Sequence, residues 1–305
     1  MSTAQGMAIS PRYLIIDWGT TNFRAFAMDV HDQVIEQKTL PLGLLQVPNG
    51  DFAAALADVL STWLVTFEHL PIYMAGMVGS MKGWVNVDYV TTPANQAGIV
   101  SGTYSFDLPW GAKGVIFPGV SHQNGELYDV MRGEEVQLLG LVETTHQDNL
   151  HAIFPGTHAK HIVVEAANIQ HFASYLTGEV FSLLTQHGLL GKGLPKHAEF
   201  CQRSFLKGVD ASKDGEFTNR IFQGWTQRLF KQIDDAQVTD YLSGMLIGFE
   251  LRNCNSPFYY IIGGEVLSHR YQLALKHLSI ESEIIDGDQC FLAGMVTLIN
   301  ERVHD

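Results

Sequence analysis

Positive charge is scarce in this chain. Across 305 residues, 19 lysines and arginines face 32 aspartates and glutamates, for a formal net charge of −13. Such a surface repels nucleic acid and anionic membranes as a whole, and no basic run interleaved with aromatics supplies a local exception. An anionic ligand must therefore be met by a small pocket of cationic side chains or backbone N–H groups. Cysteine is also sparse. Cys201, Cys254 and Cys290 are scattered, odd in number and without a C-x-x-C pair, so zinc sites and disulfide frameworks have no support and reduced thiols are the simple reading. No apolar run approaches the roughly 20 residues that cross a bilayer, and Met1 to Pro11 lacks the basic flank and apolar core of a signal peptide. The expectation is a soluble, cytoplasmic protein whose partners are small molecules, with neither nucleic acid nor membrane among them and homo-oligomerisation left open.

What is present suits a folded globular protein: 46% hydrophobic and 17% charged residues, with room for two domains at roughly 100–200 residues each. Tyr13 to Ile16 predicts a strand ending at Asp17-Trp18-Gly19-Thr20-Thr21, and Phe23 to Val30 follows at once, so the glycine turn reads as a hairpin. Val34 to Leu40 extends it. Phe52, Ala55, Leu56, Val59, Leu60, Trp63 and Leu64 keep the spacing of one buried helical face, with Asp51 as a natural N-cap. Ile72 to Val78 then reads as a strand running into Gly79-Ser80. After a Gly- and Pro-rich stretch with one further strand at Gly114 to Phe117, a helix is predicted over Glu134 to Val142.

The second half restarts the pattern. Leu150 to Phe154 stops at Pro155-Gly156-Thr157-His158-Ala159-Lys160, and Ile162-Val163-Val164 follows. Aligning Gly19-Thr20 with Gly156-Thr157 places an apolar strand on each side of both turns and a basic residue, Arg24 or Lys160, after each. Helices near 180–186, 217–233, 239–252 and 267–277, strands at 258–262 and 280–285 and a closing helix from about Gln289 complete the chain. The alternation implies two α/β domains around a cleft, residues 1–145 and 146–305.

Three glycine turns end predicted strands: at Gly19, at Gly156, and at Ile262-Gly263-Gly264-Glu265. Glycine lets backbone N–H groups converge without an obstructing Cβ, which suits phosphate oxygens. Threonine hydroxyls add donors, and Asp17 supplies a hard oxygen for Mg²⁺. Each turn alone could be a plain hairpin; three in order, on a repeated scaffold, favour a nucleotide.

Asp17 to Arg24 resembles the first phosphate motif of the actin/hexokinase superfamily, Pro155 to Lys160 the second, and Ile261 to Glu265 the adenosine motif. The final helix, with Ala293-Gly294, resembles the superfamily's interdomain helix. Met74 to Ser80 with Gly83-Trp84, Val130 to Leu138, Phe154 to His161 and Leu176 to Glu179 are together similar to the 2-dehydro-3-deoxygalactonokinase family over essentially the whole chain. The resemblance implies two ribonuclease-H-like (actin-like ATPase) domains with an interdomain cleft. It further implies transfer of a phosphoryl group from ATP, with Mg²⁺, to the terminal hydroxyl of 2-dehydro-3-deoxy-D-galactonate. The expected parts are Asp17 on the metal and Gly19, Thr20, Thr21, Gly156, Thr157 and His158 around the phosphates. Arg24 or Lys160 offsets charge, Gly263, Gly264 and Glu265 approach the adenosine, and Gly79, Ser80, Trp84 and Arg132 receive the sugar acid.

Many relatives in the superfamily carry a catalytic aspartate in the second phosphate motif, where this chain has Phe154. The candidate bases are therefore Glu134 and Glu135, in a Gly-Glu-Glu pattern resembling the base-bearing helix of exopolyphosphatases. Neighbours on a helix point about 100° apart, so at most one of them faces the cleft; Glu134 is slightly favoured, and the other, Glu135, is expected to be a solvated first-turn glutamate. Trp84 could equally be core, and Gly178-Glu179 could line a pocket or cap a helix. Two features are set aside. Gly188 to Gly193 imitates a P-loop but lacks Ser or Thr after Lys192, and Gly244 with Gly248 reads as close helix packing. The alternatives are a kinase for 2-dehydro-3-deoxygluconate or a polyphosphate or nucleotide phosphohydrolase of the same fold. A sugar-sensing regulator is disfavoured, because the segment before Tyr13 leaves no room for a DNA-binding helix-turn-helix.

Overall fold

The computed structural model describes residues 10–195 and 198–304. The chain divides into two compact units: Met1–Asp148 with Ala166–Gln170 and Asp288–Asp305, and Asn149–Glu165 with His171–Gly287. The first contains β1 (Tyr13–Trp18), β2 (Phe23–Met28), β3 (Val34–Leu40), α1 (Phe52–Ser61), β4 (Ile72–Ala75), β5 (Val90–Thr91), α2 (Gln96–Ser101), β6 (Tyr104–Asp107), β7 (Lys113–Ile116), β8 (Val120–Asn124), β9 (Leu127–Met131) and α3 (Glu134–Thr145). Its main sheet has the order β3-β2-β1-β4-β7-β6, and β5, β8 and β9 form a smaller one. β1 pairs antiparallel with β2 and parallel with β4.

A strand covered on both faces reads as a continuous apolar run, and β1 does so until Asp17. Leu14, Ile15, Ile16 and Trp18 are fully buried. Leu14, Ile16 and Trp18 pack with Phe23 and Ala25 of β2 and with Leu56 and Leu60 of α1. Asp51 caps α1, accepting the Ala54 N–H at 2.9 Å.

The second unit is built on β10 (Leu150–Phe154), β11 (Ala159–Glu165), β12 (Asn168–Tyr175) from His171 onward, α4 (Thr177–Gln186), α5 (Gln202–Ala211), α6 (Phe217–Leu229), α7 (Val238–Leu251), β13 (Phe258–Ile262), α8 (Glu265–His277) and β14 (Glu281–Ile285). Its sheet runs β12-β11-β10-β13-β14. β10 pairs antiparallel with β11 and parallel with β13. The repeat expected from the two Gly-Thr turns is thus present in the pairing: β10, β11 and β13 stand to one another as β1, β2 and β4 do. Gly244 and Gly248 lie where α7 crosses α5, and a Cβ on either would collide with Phe205 or Ser212. Close helix packing is their role.

The last helix, α9 (Gly287–His304), groups from Asp288 onward with the first unit. A Cβ on Gly140 of α3 would strike the Cys290 carbonyl, and one on Gly294 the Val136 carbonyl. The two helices therefore meet backbone to backbone. No described helix is long and apolar enough to cross a membrane.

Candidate functional site

In the first unit the candidate residues gather where β1 and β4 end. Asp17 is the first polar residue of β1, its side chain 22% exposed, and its Oδ2 accepts Arg24 Nη2 at 2.6 Å and Nε at 3.0 Å. Burial raises the Asp17 carboxyl above the ordinary aspartate range, and Arg24 works against that rise. Arg24 also pairs with Asp288 and lies over the Phe291 ring. Asp288, at the start of α9, went unnoticed in sequence because it is 264 residues from Arg24. The turn is held from behind: Gly19 donates to the Asn22 carbonyl at 2.9 Å and the Trp18 indole to the Leu42 carbonyl at 2.8 Å. Thr20 and Thr21 remain exposed.

β4 delivers Gly76 against this aspartate. Gly76 has φ 90°, and a Cβ there would stand 3.0 Å from Asp17 Oδ1. Across from it stands Gly133, at φ 115°, just before α3; a Cβ there would lie 3.8 Å from the Gly76 Cα. Both positions favour glycine on conformation alone. Beyond them Arg132 runs beneath the Gly79-Ser80 turn, where a Cβ on Gly79 would be 2.7 Å from Nη1. The arginine is 8% exposed; its Nη2 donates to the Val87 carbonyl at 2.7 Å and its guanidinium lies 4.3 Å from the Tyr89 ring centroid. Arg132 Nε and Nη1 and the Ser80 hydroxyl are buried and make no hydrogen bond to the described residues. Unbonded donors of this kind are costly in a protein interior.

Trp84 does not join them. It stacks on Phe52 at 6.2 Å, meets Phe106 edge-on at 5.1 Å, and belongs with the core.

The two glutamates are separated by their surroundings. Glu134 is half-buried and accepts the Arg132 backbone N–H at 3.1 Å. Glu135 is fully buried, which corrects the expectation of a solvated side chain: its oxygens accept the Gly133 N–H at 2.9 and 2.7 Å. Burial, with Glu134 adding to it, pushes the Glu135 carboxyl up to about 8. Between its ordinary value of 4.5 and about 8, the folded chain holds a proton that the unfolded chain has released, so stability falls as pH rises through that window. Glu135→Gln removes this contribution. Chemical denaturation from pH 5 to 8.5 is expected to show wild type losing at most about 5 kcal/mol relative to the variant; parallel curves would contradict the assignment.

In the second unit the Pro155-Gly156-Thr157-His158 turn joins β10 to β11. Thr157 and His158 are exposed, and His158 Nε2 meets Glu179 Oε2 at 2.7 Å. Gly178 abuts the turn, since a Cβ there would overlap the Gly156 carbonyl, and the Glu179 N–H donates to the Thr157 carbonyl at 3.0 Å. Lys160 is 5% exposed, with Nζ 3.3 Å from the His158 carbonyl. Gly263 packs on Pro155, and Gly264 is the residue before α8, whose first turn contains Glu265.

A cavity of about 340 Å³ opens at this turn, lined at one end by Gly156, Thr157 and Gly178. Its walls are Phe181, Leu246, Ile247 and Leu267, with Thr239, Ser243, Arg270 and Tyr271 as polar groups. Gly263, Gly264 and Glu265 are not among the residues lining it. The wall residues lie on α4, α7 and α8 and were missed because each reads in sequence as ordinary helix core. Arg270 is fixed there by Asp240 at 2.8 Å and by the Phe200 ring at 4.6 Å.

Among the described residues no group of three or more His, Cys, Asp or Glu could hold a metal unaided. Asp17 suits an ion completed by ligand oxygens, because Arg24 engages Oδ2 and leaves Oδ1 at the Gly76 edge.

Residues 17–298 match the family model described as 2-keto-3-deoxy-galactonokinase. The chain is 31% identical over 294 residues to the 2-dehydro-3-deoxygalactonokinase of Escherichia coli (strain K12), covering 94% of this chain and 97% of that one. A Rhizobium meliloti (strain 1021) protein described under the same enzyme name is 27% identical, covering 95% and 97%. A Sinorhizobium meliloti crystal structure, again described under that enzyme name, superposes with a TM-score of 0.88 at 26% identity, covering 95% of this chain and 98% of its own. With matches spanning nearly its full length, the chain belongs to the 2-keto-3-deoxy-galactonokinase family.

Proposed function

We propose that the chain transfers the γ-phosphoryl group of ATP to the terminal hydroxyl of 2-dehydro-3-deoxy-D-galactonate, giving the 6-phosphate and ADP. The two units are read as ribonuclease-H-like domains of the actin-like ATPase kind, a reading supported by the strand order that both sheets share. Phosphoryl transfer asks a protein chiefly for positioning and charge stabilisation. Each unit carries a turn proposed to bind phosphate oxygens: Gly19, Thr20 and Thr21 in the first, Gly156 and Thr157 in the second. The cavity lined by Phe181, Leu246 and Leu267 takes the nucleoside. Asp17 would hold Mg²⁺, which screens phosphate charge when bound. Glu134 takes the proton of the attacking hydroxyl.

The observation that carries the acceptor assignment is Arg132. A buried guanidinium with two nitrogens that make no hydrogen bond, in the same part of the fold as an unbonded serine hydroxyl, suits a carboxylate. Neutral sugars offer no such partner.

A coupled assay of ADP release tests this across galactonate-derived and gluconate-derived 2-keto-3-deoxy acids and their neutral analogues. Wild type is expected to turn over the acids and ignore the neutral compounds. Arg132→Leu should raise the acid KM about 100-fold, as expected for a charge-assisted pair, with ATP KM within about twofold of wild type. Equal turnover of neutral and acidic acceptors would contradict the assignment.

A further inference from the structure

Behind the nucleotide cavity of the second unit runs a line of buried polar groups that belongs to none of the phosphate or adenosine motifs. His161 of β11 meets Glu250 Oε1 of α7 at 2.7 Å, and the Tyr271 hydroxyl of α8 donates to Glu250 Oε2 at 2.7 Å. Thr177, which opens α4, is a polar neighbour of the Tyr271 hydroxyl, and the two line the same cavity. The Glu250 side chain and Tyr271 are each only 1% exposed. A carboxylate so placed needs a counter-charge and full hydrogen bonding, and His161 provides the charge. Burial disfavours a charged His161, but its contacts with Cys254 and Glu250 outweigh burial and raise its pKa to about 9. The other groups facing it are the Cys254 thiol, 3.7 Å from Nδ1, and the Tyr175 ring at 4.7 Å. His151, His171 and Tyr259 line the same small cavity on that side.

The far end of this line touches the phosphate turn. Thr177 lines the nucleotide cavity beside Gly156 and Thr157, and its neighbour Gly178 presses on the Gly156 carbonyl. We propose that Glu250 and Tyr271 are positioning residues for the nucleotide: Glu250, balanced by His161, fixes the Tyr271 hydroxyl, which holds Thr177 and the start of α4 against the Gly156-Thr157 turn. The proposal rests on the kinase reading above. A purely structural network would change stability; this one changes how ATP is held.

The test is steady-state kinetics of the full chain with ATP and the galactonate-derived acid from pH 6.5 to 10, with circular dichroism to verify folding. Tyr271→Phe and Thr177→Val are each expected to raise ATP KM about tenfold, the scale of one hydrogen bond in a charged network. Both should leave kcat and acid KM within about twofold. The double variant should be no worse than either single one, because both break the same line. Wild-type ATP KM should rise as pH passes about 9, where His161 loses its proton. His161→Gln should show the raised KM already at pH 7 and no further rise. Should Tyr271→Phe fail to fold, Thr177→Val at the cavity wall decides the matter alone. Unchanged ATP KM in the folded variants, or additive effects in the double, would overturn the positioning role while an active wild type keeps the kinase reading. A wild type that releases no ADP would overturn both.

Discussion

Asp17→Ala is expected to abolish turnover, lowering kcat by at least about 1,000-fold, the scale on which charge stabilisation acts in phosphoryl transfer. The sequence runs Tyr-Leu-Ile-Ile before this residue because β1 is an interior strand, and the strand's first carboxylate emerges where β2 begins and β4 ends. The environment is too specific for a general surface role. Burial raises the Asp17 carboxyl, Arg24 opposes that rise, and Gly76 leaves no side chain in front of Oδ1. Asp17→Asn separates charge from shape: it keeps the size and loses the anion, and it should be nearly as inactive as alanine. Circular dichroism should be unchanged in both. Near-normal kcat in a folded Asp17→Ala chain would contradict the phosphate-site assignment.

Glu134→Gln is expected to cost about 100- to 10,000-fold in kcat, the range for a lost general base, with substrate KM values little changed. Glu135→Gln should retain most of the rate. The asymmetry follows from burial. Glu135 is enclosed and carries its proton at neutral pH, since its pKa is about 8, so it has no capacity to accept another. Glu134 is the more accessible of the two and sits one residue into α3, beside Arg132. The turn after β10 offers no competitor, because its strand ends in the buried Phe154. Single-turnover kinetics would separate the chemical step from product release. A Glu135→Gln variant as impaired as Glu134→Gln would place the base elsewhere.

Much of this was legible in sequence where local chemistry and tertiary role agree. β1, β4, β10 and β13 are apolar runs stopped by glycine turns, and they fall where the runs predict. The helix α5 was not foreseen. Its buried face is Ser204, Phe205, Gly208 and Val209, and Gly208 admits α7 closely, a contact between segments more than 30 residues apart that no local pattern announces. The β8–β9 hairpin was missed for a related reason: Leu127, Tyr128 and Val130 are exposed, so the run carries no in–out alternation. The candidate site was readable as a set of turns, yet its electrostatics were not. That Glu135 is buried, that Asp288 reaches Arg24, and that two Arg132 nitrogens make no hydrogen bond all depend on contacts between residues far apart in the chain. Trp84 is the opposite case, a residue near a functional turn whose stacking on Phe52 gives it a packing role.

The most direct test follows the phosphorus atom. ATP labelled in its γ-phosphate is incubated with the purified chain and 2-dehydro-3-deoxy-D-galactonate, and the product is examined by phosphorus NMR and mass spectrometry. The label should appear as a phosphate monoester on the terminal carbon of the acid, in one-to-one yield with ADP. Label found only in inorganic phosphate, released at the same rate with and without the acid, would show a phosphohydrolase and contradict the account.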